Sequence, residues 1–166
     1  MRAVIQRVQN ASVFVNDQLI SQIGKGLCVL VGISRDDTRE DMDYIVRKIL
    51  NTRLFDNRET GKRWSDSVVD RDYEILSVSQ FTLYGNLKKG NKPDFHQSMD
   101  TKLSEDFYNE FLDKLRTGYK SDRVKDGQFG AMMAVNICND GPVTITLESP
   151  TTTNKSTQQT DKPTNS

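Results

Sequence analysis

At 166 residues the chain is one domain by the usual length prior, long enough for a real hydrophobic core. Its 23 basic and 23 acidic side chains cancel to a formal net charge of zero. That excludes the excess of Lys and Arg needed to wrap long nucleic acid, although not a grip on the tip of an RNA.

No apolar stretch approaches signal-peptide or transmembrane length, so a soluble, cytoplasmic protein without a membrane partner is expected. AVIQRV and ASVFVN, parted by Gln9-Asn10, read as two opening strands, and LISQIG adds a short one. GLCVLVGI is a continuous apolar run with Gly at both ends, as in a central strand buried on both faces. Asp36-Asp37-Thr38 then caps a helix running to about Leu50. In it Met42, Ile45, Val46, Ile49 and Leu50 recur at spacings of three and four.

RLF and YEILSVSQFTLY read as strands on either side of the polar, turn-rich NRETGKRWSDSVVD, and GNLKKGNKPDFHQSM as a long loop. A second helix starts near Met99-Asp100. Leu103, Phe107, Phe111 and Leu115 form its stripe, with Tyr108 and Leu112 beside it. FGAMMAVNIC and VTITLE read as strands flanking Asn139-Asp140-Gly141-Pro142-Val143-Thr144, which has the look of a hairpin turn. Strands dominate and two helices punctuate them, so the class is α+β. After Glu148, SPTTTNKSTQQTDKPTNS has no aliphatic or aromatic residue to bury. The folded domain is therefore expected to span 1–148, followed by a disordered tail at 149–166.

Few residues advertise chemistry. His96 is the lone histidine and no cysteine pair has ligand spacing, so no metal is expected. Cys28 and Cys138 lie in apolar strand-like runs and read as buried thiols; a Cys138–His96 nucleophile pair rests on elimination alone. Nucleotide-binding fingerprints are absent, and no cofactor is expected. Lys88, Lys89 and Lys92 between glycines suggest a small phosphate-contacting patch, with a plain solvated loop the favoured alternative. Ser79-Gln80-Phe81-Thr82 closes an apolar strand with polar groups that can face a cleft, or simply marks a strand leaving the core. In NDGPVT, an Asp-Gly turn suits a hairpin, but the following Pro removes a ladder N–H and argues for an irregular, exposed bend.

Taken together these segments resemble the D-aminoacyl-tRNA deacylases of the D-tyrosyl-tRNA(Tyr) deacylase type. The likeness runs through MRAVIQRVQNASV, GLCVLVGIS, VRKILNTRLF, SVSQFTLYG, GNKPDFH and FGAMMAVNICNDGPVTITLES, and includes both family signatures, SQxT and NxGPxT. It implies a barrel-like β core with two main helices, assembled as a homodimer. Each active site would combine the SQxT segment of one chain with a Gly-cis-Pro pair, Gly141-Pro142, from the other. The implied reaction is hydrolysis of the ester joining a D-amino acid, or mischarged glycine, to the 3′-terminal adenosine of tRNA. Ser79, Gln80, Phe81 and Thr82 would form the catalytic segment. Backbone N–H groups around Phe81 and Thr82 would hold the developing oxyanion, and the ribose 2′-hydroxyl would assist. A covalent role for Thr82 ranks second, for want of an evident base.

The resemblance further implies that Phe129 stacks on the terminal adenine, that Met133 lines the same pocket and that Asn139 joins the substrate-binding set. Arg7 would support the Gly-Pro segment. Core packing explains Met133 equally well, and a surface salt bridge would explain Arg7. The alternative from another class is a DNA-binding replication accessory protein, because some animal members carry a charged C-terminal extension. Lys155 and Lys162 against Asp161 make this a weak tail for that purpose.

Overall fold

The computed structural model describes residues 1–150. The expected tail therefore lies, apart from Ser149 and Pro150, outside the described residues. Six strands and two helices follow one another as β1 (Arg2–Val15), β2 (Gln18–Ile23), β3 (Gly26–Gly32), α1 (Arg39–Asn51), β4 (Glu74–Ser79), α2 (Thr101–Gly118), β5 (Val124–Asp126) and β6 (Ala134–Glu148). They form an α+β fold with a nearly closed, barrel-like sheet, as expected from the resemblance.

Closure depends on β1. Along one edge its first half pairs with β3 and its second half with β2, while its other edge pairs with β6 over nearly its full length. Gln9-Asn10 does not separate two strands. The register against β6 slips between Val8 and Asn10, and the buried face changes there. Ala3 and Ile5 belong to the layer under the helices, whereas Val8, Ala11 and Val13 pack with Ile23, Cys28, Leu76 and Val78. A bulge shifts the alternation without ending the strand, which is why it reads as a gap.

β3 and β4 run parallel and sort their side chains by parity. Leu27, Val29, Val31 and Ile75 face the helices; Cys28, Leu76 and Val78 face the opposite cluster. Burial on both sides explains the unbroken apolar run of β3. Helix α1 presents Met42, Ile45, Val46, Ile49 and Leu50 to the core, as its spacing predicts. Helix α2 buries Tyr108, Phe111, Leu112 and Leu115, while Leu103 near its start stays 64% exposed.

Several expectations are corrected. RLF forms no strand: Phe55 makes only an isolated bridge to Asp66. YEILSVSQFTLY ends as a strand at Ser79, and Phe81–Tyr84 turns into a 3-10 helix. FGAMM is a turn, and β6 starts only at Ala134. Cys28 is buried, with its thiol pushed up to about 11 by desolvation, but Cys138 is exposed. At the end of the described chain, Ser149 is buried; its N–H donates to the Met1 carbonyl and its hydroxyl accepts from the Met1 ammonium at 2.6 Å.

Candidate active site

The parallel strands β3 and β4 stop side by side, and the main cavity opens where they stop. Its volume is about 680 Å³, within the range of small-molecule sites. It is lined by Val31, Ile33 and Val78 from the strand ends, by Asp100, Thr101 and Ser104 from the start of α2, and by Phe129–Met133 with Val135.

Ser79, Gln80 and Phe81 line this cavity directly. Gln80 is still tied to the sheet through its N–H on the Val31 carbonyl, 2.7 Å away, and the chain then turns. Gly32 permits that turn to lie close: a Cβ there would sit 2.9 Å from Leu83 Cβ and 3.2 Å from the Gln80 carbonyl oxygen. Heading the 3-10 helix, the N–H groups of Phe81 and Thr82 have no carbonyl behind them in the turn, and Gln80 makes no side-chain cap. Its amide instead donates to Thr82 Oγ1 at 2.6 Å. The Phe81 carbonyl accepts from Ser98 at 3.0 Å, and the Phe81 ring, 57% exposed, meets the edge of Phe95 at 5.0 Å.

Phe129 and Met133 reach the same cavity. The Phe129 ring lies 5.8 Å from Tyr108, whose hydroxyl is hydrogen-bonded to Ser77 at 2.9 Å. Burial pushes the Tyr108 phenol well above its ordinary range, so the support beneath Phe129 stays neutral. Gly127 makes room for Met133: a Cβ there would lie 2.7 Å from the methionine sulfur.

Among the lining residues Asp100 is the one titratable group. It is engaged as the cap of α2, accepting from the Lys102 N–H at 3.1 Å. No group of at least three His, Cys, Asp or Glu side chains suited to a metal occurs among the described residues. His96 pairs with Asp94 at 2.8 Å, and Cys138 sits opposite Asn10 on β6. The cavity thus offers hydroxyls, amides, backbone N–H groups and apolar walls. It can orient an ester and stabilise negative charge, but presents no evident nucleophile–base pair.

Thr82 stands in the turn but is not part of the lining, and Arg7, Asn139, Gly141 and Pro142 form a second group away from it. NDGPVT is not a hairpin turn, because β6 continues in the same direction on both sides of it. Between the pairs Val8–Asn139 and Gln6–Thr144, β6 has residues 140–143 where β1 has only Arg7. The excess is extruded as a bulge. Its Gly141–Pro142 bond is cis, and both residues are exposed. Arg7 is central to this bulge: its guanidinium lies 3.2 Å from the Asp140 carboxylate and donates to the Leu54 carbonyl at 2.7 Å. Asn139 stands at the edge of the bulge, exposed, and not at the cavity.

Sequence reasoning missed Phe95, Ser98 and Asp100 as neighbours of the SQFT turn. The available signal was GNKPDFHQSMD itself, a Pro-bounded aromatic followed by a helix cap.

The family model and the curated relatives point to one family. A family model described as D-Tyr-tRNA(Tyr) deacylase matches residues 4–148. The chain is 60% identical over 150 residues to a Drosophila melanogaster protein named D-aminoacyl-tRNA deacylase, covering 90% of this chain and 93% of that one. It is 59% identical over 150 residues to D-aminoacyl-tRNA deacylase 1 of Homo sapiens, covering 90% of this chain and 71% of the human one. A solved structure described as c-Myc DNA Unwinding Element Binding Protein superimposes with a TM-score of 0.87 at 58% identity. That match covers 91% of this chain and all of the other.

Proposed function

The chain belongs to the D-Tyr-tRNA(Tyr) deacylase family, and from that premise we propose that it hydrolyses the ester of D-aminoacyl-tRNA, releasing free amino acid and tRNA. The observation that carries the proposal is the meeting of Ser79, Gln80 and Phe81 with Phe129 and Met133 around one cavity of about 680 Å³. The terminal adenine lies against Phe129, and the ester carbonyl points at the N–H groups of Phe81 and Thr82. An aminoacyl ester is already activated, so oriented donors and the substrate's own 2′-hydroxyl suffice.

Selectivity is assigned to the Gly141-Pro142 segment. The enzyme meets many D side chains that share only their handedness, so it must reject L-forms by an obstacle and not by side-chain recognition. A backbone wall is stiff, and Gly141 allows close approach. Glycine has no side chain to exclude, and its mischarged ester is accepted by the same geometry. Since Gly141 and Pro142 do not line the cavity of their own chain, the wall is supplied by a second copy in a homodimer, with Arg7 and Asp140 bracing it.

Turnover of tRNA charged with a D-amino acid or with glycine, followed as released amino acid, tests the proposal. Release well above the rate without protein supports it, and no release overturns it. The DNA-binding alternative has less support. A net charge of zero offers a long duplex little electrostatic attraction, and residues 151–166 lie outside the described structure.

A further inference from the structure

We propose that the Lys88–Lys92 loop is the phosphate contact of the active site, holding the backbone of the RNA's single-stranded 3′ end as it leaves the cavity. This rests on the deacylase reading above. A chain with no net charge can hold RNA only through cations that its own carboxylates leave uncompensated. Several are compensated: Arg2, Arg7, Arg39, Arg71, Lys120 and Arg123 each lie within 4.0 Å of a carboxylate. The run YGNLKKGNKP, residues 84–93, has three lysines and no acidic residue. Among the described residues Lys88, Lys89 and Lys92 form no ion pair, and all three are exposed. The nearby Asp94 carboxylate is already engaged by the His96 ring at 2.8 Å and by the His96 N–H at 2.9 Å.

The loop is also fixed to the cavity wall. Reciprocal backbone bonds between Asn86 and Asp94, at 2.8 and 2.9 Å, close its base, and the Asn86 side chain accepts from the Lys88 N–H at 2.9 Å. Phe95, next along, lines the cavity and packs on Phe81. The lysines are therefore carried on a braced projection beside the catalytic turn. An RNA whose last nucleoside enters the cavity brings one phosphate per preceding nucleotide past its mouth. Long ammonium side chains reach such a backbone without reading its bases.

The test replaces all three residues (Lys88→Gln, Lys89→Gln, Lys92→Gln). A control removes the same charge elsewhere (Lys48→Gln, Lys62→Gln, Arg63→Gln). Binding of uncharged tRNA is read by fluorescence anisotropy across a salt series, and KM is measured with D-aminoacyl-tRNA and with D-aminoacyl-adenosine, which has no phosphate. Losing three phosphate contacts lowers the slope of log affinity against log salt by about 2, and weakens tRNA binding at low salt by about tenfold. KM for D-aminoacyl-tRNA rises in parallel, and the defect disappears with D-aminoacyl-adenosine. The control stays within about twofold of the unmodified protein. An unchanged slope and affinity in the loop variant overturns the proposal. So does an equal loss in the control, or a loop-dependent affinity for duplex DNA matching that for tRNA. Failure of the unmodified protein to hydrolyse either D-aminoacyl substrate would instead overturn the deacylase reading, while the binding series still decides the loop.

Discussion

At Thr82 the hydroxyl lies 2.6 Å from the Gln80 amide nitrogen, which donates to it. An amide is no base, so nothing in this pair would draw a proton from the hydroxyl and make it a nucleophile. Removing the hydroxyl should then cost little compared with removing a nucleophile. Thr82→Ala is expected to keep turnover of D-aminoacyl-tRNA within about tenfold, as steady-state kinetics will show; a loss of a thousandfold or more would restore Thr82 as the covalent residue. Gly141 is constrained differently. Its φ is +118°, and a Cβ there would lie 3.0 Å from Val143 Cγ2, 3.2 Å from the Val143 nitrogen and 3.3 Å from an Arg7 Nη. Gly141→Ala should cost about 1–3 kcal/mol of stability in chemical denaturation and displace the bulge that Arg7 holds. Hydrolysis of D-aminoacyl esters should fall with it.

The helices were legible in the sequence because their periodicity and caps agree, and every apolar residue assigned to the core face of α1 is buried. Most strands were legible in position but not in extent, and RLF read as a strand where none forms. A Gly-Pro pair between two alternating runs looks like a turn, because Pro cannot join a ladder; the chain instead extrudes 140–143 and resumes pairing with β1. The 3-10 helix at Phe81–Tyr84 was hidden by Phe81, Leu83 and Tyr84, whose apolar character prolongs the strand pattern. β5 has only three residues and gave no period to detect.

Two predictions belong to the elements. Gly26 sits where β3 meets β4, and a Cβ there would fall 1.8 Å from the Glu74 carbonyl oxygen. Gly26→Ala must push the two strands apart and should lower the melting temperature strongly or leave no folded protein. At the start of α1, Asp41 accepts from the Thr38 N–H and hydroxyl, both at 2.8 Å. Burial pushes the Asp41 carboxyl up, but the bonds from Thr38 and Ser149 outweigh it and hold the group below the usual carboxylate range. A depressed pKa contributes stability that is present above the unfolded value, near 4, and is lost as pH falls through the folded one. Asp41→Asn should therefore cost about 1 kcal/mol at pH 7 and progressively less below about pH 4, as denaturant unfolding across pH will show.

At the scale of the whole molecule, the two halves of the candidate machinery lie apart in one chain: the SQFT turn at the cavity, and the Gly141-Pro142 bulge braced by Arg7 on the β1–β6 pair. The resemblance implied that the two motifs serve different sites; the residues alone did not, because sequence order says nothing about which side of a barrel a bulge faces. The homodimeric site proposed above would resolve the separation. It also predicts that mixing a chain altered in the SQFT segment with one altered at Gly141 restores activity that neither has alone. Beneath that assembly stands the claim that this cavity discriminates by handedness. The direct measurement is deacylation of one tRNA charged in parallel with the D- and L-forms of the same amino acid. The D-ester should be hydrolysed at least a hundredfold faster in kcat/KM; equal cleavage of both forms, or cleavage of neither, would contradict the account.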